Sequence, residues 1–132
     1  MSKTKKRKIG DLGEEITCKF LKNKDYKVLE RNYWKPWGEI DIVAEKANLL
    51  RFIEVKTVSR EISNGISREP TQVRPEENFH PVKLKRLHRA IQTYLLDHKI
   101  SENKLWQIDL ACVYLDFSTK KARVELMENI IL

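Results

Sequence analysis

Residues 38–57 read GEIDIVAEKANLLRFIEVKT. Two stretches in which apolar and polar residues alternate, Glu39 to Glu45 and Leu50 to Thr57, are separated only by Lys46 to Leu49. Alternating runs with so short a gap predict an antiparallel hairpin. With Ala47-Asn48 as its two-residue turn, Glu45 faces Leu50 and each further pair follows in step. Asn tolerates the left-handed backbone such a turn requires, although Ala is a poor choice for it. This register sets Asp41 opposite Glu54 and Glu39 opposite Lys56. It places Ile40, Ile42, Ile53 and Val55 on the other face, where they supply the burial.

The charged face has the makings of phosphodiester chemistry. Hydrolysis needs charge neutralised at the phosphate and a water made nucleophilic at neutral pH. Hard oxygen ligands holding Mg²⁺ or Mn²⁺ supply both. Asp41 and Glu54, cross-strand neighbours about 5 Å apart at Cβ, are placed to grip one ion. Lys56 returns to the Glu54 face two residues on and can orient the water or add positive charge in the transition state. Such a face is more often a solvated surface with weak ion pairs. The matched spacing and the shared face favour metal binding instead. A first helix, from about Ile9 to Lys24, carries Ile9, Leu12, Ile16 and Phe20 at three- and four-residue steps as its apolar stripe. Glu14 points away from that stripe and is a further candidate ligand or base.

Around this centre the chain reads as one domain. Tyr26 to Arg31 is a short strand, and Asn32 to Gly38 is a loop holding Tyr33, Trp34, Lys35 and Trp37. Aromatics beside a cation can stack on splayed bases or cover the sheet edge, and edge packing is slightly favoured. From Val58 to Pro81 the pattern dissolves into polar residues and prolines, a long connection for a small domain. A second helix follows from about Pro81 to His98, with Leu84, Leu87, Ile91 and Leu95 as its buried stripe. Leu105 to Asp116 and Arg123 to Ile130 are the last two strands. The order helix, three strands, helix, two strands predicts a mixed α/β fold with helices flanking one sheet. Lys83, Lys85, Arg86 and Arg89 crowd the second helix; a solvated face and a phosphate-contacting ridge explain them equally well. Asp109 reads either as a core acid or as an edge residue.

The 132 residues carry 26 Lys and Arg against 19 Asp and Glu, a net charge of +7. That excess suits a polyanion, nucleic acid or an anionic membrane. Much of it lies in a basic N-terminal tail, residues 1–8, ahead of a single domain spanning 9–132, and a frayed basic tail alone weighs little. No run is apolar enough for a membrane span or a signal peptide. Cys18 and Cys112 form neither a disulfide framework nor a ligand spacing. His80, His88 and His98 show no zinc spacing. The expectation is a cytoplasmic protein without a membrane partner.

Gly38-Glu39-Ile40-Asp41 followed by Phe52-Ile53-Glu54-Val55-Lys56 resembles the motif pair of the PD-(D/E)XK nuclease superfamily. More narrowly, the chain resembles the YraN-like family of bacterial proteins, viewed as endonucleases with a fold like that of archaeal Holliday-junction resolvases. Gly10-Asp11-Leu12-Gly13-Glu14, Arg31-Asn32, Lys83, Gln107-Ile108-Asp109 and Glu128-Asn129 fall where that family has its remaining motifs. The resemblance implies a restriction-endonuclease-like mixed sheet. It further implies metal ligation by Asp41, Glu54 and the Val55 carbonyl, assistance from Glu14, and a catalytic Lys56. Glu39 would support the site, and Arg31, Asn32, Lys83, Lys85, Arg86 and Arg89 would meet nucleic acid. DNA, branched or otherwise structured, is the implied substrate, and a homodimer is implied by analogy with resolvases. The alternative is a non-enzymatic nucleic-acid-binding protein that keeps the fold. Val58 and Gln107 stand where the family often has Arg, and the connection from Thr57 to Val82 is longer than usual.

Overall fold

The hairpin forms in the expected register. In the computed structural model, which describes residues 4–60, 62–63, 66–67 and 74–130, β2 (Gly38–Lys46) pairs antiparallel with β3 (Leu49–Arg60) from Ile42↔Ile53 to Lys46↔Leu49. Ala47 and Asn48 both take left-handed backbone, with φ of 53° and 60°, the conformation that matches a two-residue turn to the twist of its strands. Beyond Ile42 the Cα register ends, so the expected pairs Asp41–Glu54 and Glu39–Lys56 do not form as ladder neighbours. The faces are also resorted there. Ile42 and Ile53 pack together with Val55 beside them, but Ile40 packs with Val43 and Phe52 in the opposite layer. The expected apolar face of four thus keeps three members. The break in alternation opens the hairpin at Asp41.

Outward from the hairpin, β1 (Lys27–Lys35) lies antiparallel to β2 and is longer than expected. Only Pro36 and Trp37 separate the two strands, so the predicted loop of 32–38 is mostly strand. Its residues divide as strand residues do: Tyr33 is buried and Trp34 is 64% exposed. On the other side, β6 (Trp106–Asp116) runs parallel to β3, setting Glu54 beside Leu110 and Lys56 beside Cys112. β7 (Lys121–Met127) pairs antiparallel with β6 and closes a five-stranded mixed sheet of order β1-β2-β3-β6-β7. The parallel β3–β6 step is made possible by α3 (Pro81–Asp97), since parallel neighbours need a crossover. Between β3 and α3 lie the short strands β4 (Ile62–Ser63) and β5 (Ile66–Ser67) and the single-turn helix α2 (Pro75–Asn78). The remainder of the long connection lies outside the described residues.

Helices cover both faces. α3 seats Leu87, Ala90, Ile91 and Tyr94 on Val43, Phe52, Leu110 and Cys112, with Leu84 and Leu95 partly buried beside them, as its periodicity predicts. Tyr94 meets Tyr33 and Phe52 edge to face. On the other face lies α1 (Lys5–Asn23), which departs from expectation in two ways. It starts four residues earlier than Ile9, because Thr4 caps it by accepting from the Arg7 N–H at 3.2 Å. Lys5 to Lys8 are therefore helical, with exposed side chains. It also buries Gly13, Thr17, Cys18 and Leu21 rather than the larger stripe, leaving Leu12 42% exposed. The cause is close approach: a Cβ on Gly13 would stand 1.9 Å from Thr57 Oγ1 of β3. A helix seated on its small residues brings Glu14, next in sequence, to the opened end of the hairpin. Among the described residues no helix is long and apolar enough to cross a membrane.

Candidate metal centre

Where β2 leaves β3, the Asp41 side chain takes over from the ladder. Its Oδ2 accepts the Val55 backbone N–H at 2.8 Å, fixing the carboxyl beside Glu54, with which it hydrogen-bonds. Glu54 is 8% exposed, and its Oε1 lies 3.0 Å from Lys83 Nζ at the start of α3. Two carboxyls removed from water at this range repel. Burial first, then the Asp41 charge, pushes the Glu54 pKa up, while Lys83 opposes both. Asp41 is pushed up as well, chiefly by burial, and the Val55 N–H opposes it.

Glu14, Asp41, Glu54, Val55 and Lys56 line one cavity, closed on its far side by α1. The predicted set is thus brought together, although by a splayed hairpin rather than a continuous ladder. Glu14 is raised to about 7 by burial and by the charge of Asp41, against a hydrogen bond from Asn32. Asn32, expected to meet nucleic acid, here holds Glu14; its φ of 52° turns it out of ordinary strand geometry. Arg31 is paired with Glu15 at 2.9 Å. Lys56 is exposed on the cavity wall. Glu54 also borders a second cavity with Glu39, Lys83 and Arg86 on the α3 side. Glu39 therefore stands near Lys83 instead of in register with Lys56. Lys85 and Arg89 lie further along α3 in a separate hollow with Trp37, whose indole N–H donates to Thr93 Oγ1 at 2.9 Å. Trp37 stays partly exposed and lies against α3 rather than over the sheet edge, with Arg89 over its ring.

The donor set fits a hard divalent cation. Asp41 and Glu54 offer oxygen ligands whose raised pKa values reflect too little positive charge nearby, which is what such an ion would supply. Among the described residues no three His, Cys, Asp or Glu side chains are gathered for metal as they stand. Glu14 would complete the set by a side-chain movement within the cavity it already lines. Two partners escaped the sequence reading, Asn32 for Glu14 and Lys83 for Glu54. The second had a signal, since a lysine beside Pro81 opens a helix that must cross over this end of β3.

Asp109 belongs to a different cluster. It is fully buried, accepts from Gln107 Nε2 at 2.7 Å and the Asn129 N–H at 2.8 Å, and lies 3.7 Å from Arg51 Nη1. Arg51 is also paired with Glu128. This acid is a core residue tying the chain's end to the sheet, not a member of the Asp41 site.

Comparison with known proteins agrees with this architecture. The profile described as "Uncharacterised protein family UPF0102" matches residues 13–113, a span that runs from Gly13 into β6. A UPF0102 protein of Campylobacter lari is 37% identical over 123 residues, covering 92% of this chain and 91% of that protein. One from Helicobacter hepaticus is 37% identical, covering 93% of this chain and 94% of its own length. One from Alkaliphilus oremlandii is 34% identical, covering 93% and 97%. With the profile spanning both halves of the hairpin and the relatives matching nearly end to end, the chain belongs to the UPF0102 family, whose members are consistent with the PD-(D/E)XK fold seen here.

Proposed function

We propose that the protein is a metal-dependent endonuclease that hydrolyses phosphodiester bonds in DNA, branched or otherwise structured DNA among its substrates. The observation that carries this reading is the pair of adjacent carboxyls, buried Glu54 and half-buried Asp41, held at the opened hairpin with Lys56 on the same cavity wall. Asp41, Glu54 and the Val55 carbonyl would hold Mg²⁺ or Mn²⁺, with Glu14 completing the shell. When bound, that ion supplies an acidified water and a counter-charge for the phosphate.

The protein's own groups do the positioning. The Val55 N–H fixes which Asp41 oxygen remains free. Lys56 presents an ammonium to a phosphate oxygen as negative charge develops there. Glu14, whose pKa is raised to about 7 by burial and by the charge of Asp41, would be held ionised by the bound cation and lend it a further oxygen ligand. Lys83, 3.0 Å from Glu54 Oε1, offsets part of the negative charge that Glu54 and Asp41 share.

That last contact also motivates the rival reading, a nucleic-acid-binding protein without turnover, because a lysine already neutralises Glu54. Incubating branched, flapped and single-stranded DNA with the protein in Mg²⁺ or Mn²⁺, beside Glu54→Ala and Lys56→Ala, separates the two. The endonuclease reading expects cleavage that both substitutions abolish or reduce by orders of magnitude. Cleavage unaffected by either would mark a contaminant. Binding in chelator with no cleavage of any substrate would establish the rival.

A further inference from the structure

The cavity that holds Asp41 and Glu54 extends along the first two turns of α1, past Gly10 to Lys5 and Lys6. Its volume is about 620 Å³, within the range of sites that take an organic ligand rather than a lone ion. Lys6, Gly10 and Glu14 recur at four-residue steps and so form one row on the helix. The row runs from a cation, over a bare patch, to a carboxyl at the centre.

Gly10 is the unexplained member. A glycine inside a helix costs about 0.5–1 kcal/mol relative to alanine. Gly13 and Gly38 have a reason within the fold, since a Cβ on either would collide with Thr57 or with the Arg86 carbonyl. Among the described residues, a Cβ on Gly10 would meet nothing within 4 Å. Among the described residues nothing requires the missing side chain, while close approach of a ligand backbone would.

We infer that a nucleic-acid strand engaged at Asp41 and Glu54 continues along α1, its backbone lying over Gly10 and its phosphates held by Lys5 and Lys6. This rests on the nuclease reading and deepens it by assigning the path of the strand on one side of the reacting phosphate. The basic run then acts as a phosphate clamp at a fixed distance from the reacting phosphate.

The test is fluorescence anisotropy with labelled single-stranded and duplex oligonucleotides over a salt series. Ca²⁺ neutralises the carboxylates, and gels check that the oligonucleotides stay intact. Lys5→Gln/Lys6→Gln should flatten the slope of log affinity against log salt by about 1.4 on single strands and about 1.8 on duplex, two contacts' worth. Lys19→Gln/Lys22→Gln removes equal charge from the exposed remainder of α1 and should leave the slope nearly unchanged. Gly10→Leu should weaken binding on the order of tenfold while its thermal midpoint stays level or rises, which a merely structural glycine would not do. Equal effects of the two lysine pairs, or unchanged binding by Gly10→Leu, would overturn the inference and leave the metal site standing. Failure of the unaltered protein to bind any oligonucleotide would overturn the inference and the nuclease reading together.

Discussion

Glu14, Asp41 and Glu54 each hold a proton more tightly than an ordinary carboxyl, with burial as the first cause. A carboxyl whose folded pKa lies above its unfolded value stabilises the fold fully below the unfolded value and ceases to as pH rises through the folded one. For Glu14 that window runs from 4.5 to about 7. In chelator, the thermal midpoint should therefore fall by several degrees between pH 5 and pH 8, and Glu14→Gln should make the fall shallower. Adding Mn²⁺ should reverse the trend, because a cation binds the ionised form and stabilises what it binds. A midpoint that is flat or rises with pH in chelator would contradict the buried-acid picture. At this scale the sequence showed Asp41, Glu54 and Lys56 through spacing alone. It gave Glu14 for an incomplete reason: Gly10, Glu14, Thr17 and Leu21 form a row at helical steps, but the larger Ile and Leu side chains masked it. The hydrogen bond from Asn32 was hidden because its left-handed backbone depends on strands that pair around it.

Gly13 decides how closely α1 lies on β3, and thereby where Glu14 points. Gly13→Ala should lose about 1–3 kcal/mol from overpacking, despite the better helix propensity of alanine. Thr57→Ala in the same chain should recover much of that loss, since Thr57 Oγ1 is the nearest obstacle at 1.9 Å. Urea denaturation of the two single variants and the double variant checks this. Equal loss with and without Thr57→Ala would show that the contact is not the cause. Elements built on strong periodicity were legible: the hairpin register, α3 and its stripe, and the last two strands. The length of β1 was not, because Pro36 and Gly38 suggested a loop while tertiary packing of Tyr33 on Tyr94 extends the strand to Lys35. The splay at Asp41 was also invisible, since alternation in sequence gives no sign of where a ladder stops.

Across the whole molecule the sheet carries two polar centres about 10 Å apart along β3, three residues at the strand's rise. One is the Asp41–Glu54 site; the other is the Arg51–Asp109 pair, which fastens the final segment through Asn129 and Glu128. Backbone pairing reinforces that anchor, with the Ile130 N–H donating to the Ile108 carbonyl at 2.7 Å. Arg51→Met strands a buried carboxyl and should cost about 3–5 kcal/mol. Adding Asp109→Asn should cost less than the two separate losses together, because the orphaned charge is then gone. Strict additivity in urea denaturation would deny the coupling. The sequence left Asp109 undecided because, Gln107 apart, its partners Asn129 and Arg51 lie 20 and 58 residues away and meet it only when β3, β6 and the final segment assemble. The overall order of elements, by contrast, followed from patterning, and the crossover of α3 explains why β3 and β6 are parallel.

The claim on which the functional reading depends is that Asp41 and Glu54 form a divalent-cation site, and it can be tested without choosing a substrate. Mn²⁺ titration followed by electron paramagnetic resonance at pH 8, where Asp41 and Glu14 are mostly ionised and the cation competes with the proton on Glu54, reads it directly. The expected result is a saturable site that Asp41→Asn and Glu54→Gln each abolish and Lys56→Ala retains. No saturable binding, or binding that is unchanged by both carboxylate substitutions, would contradict it.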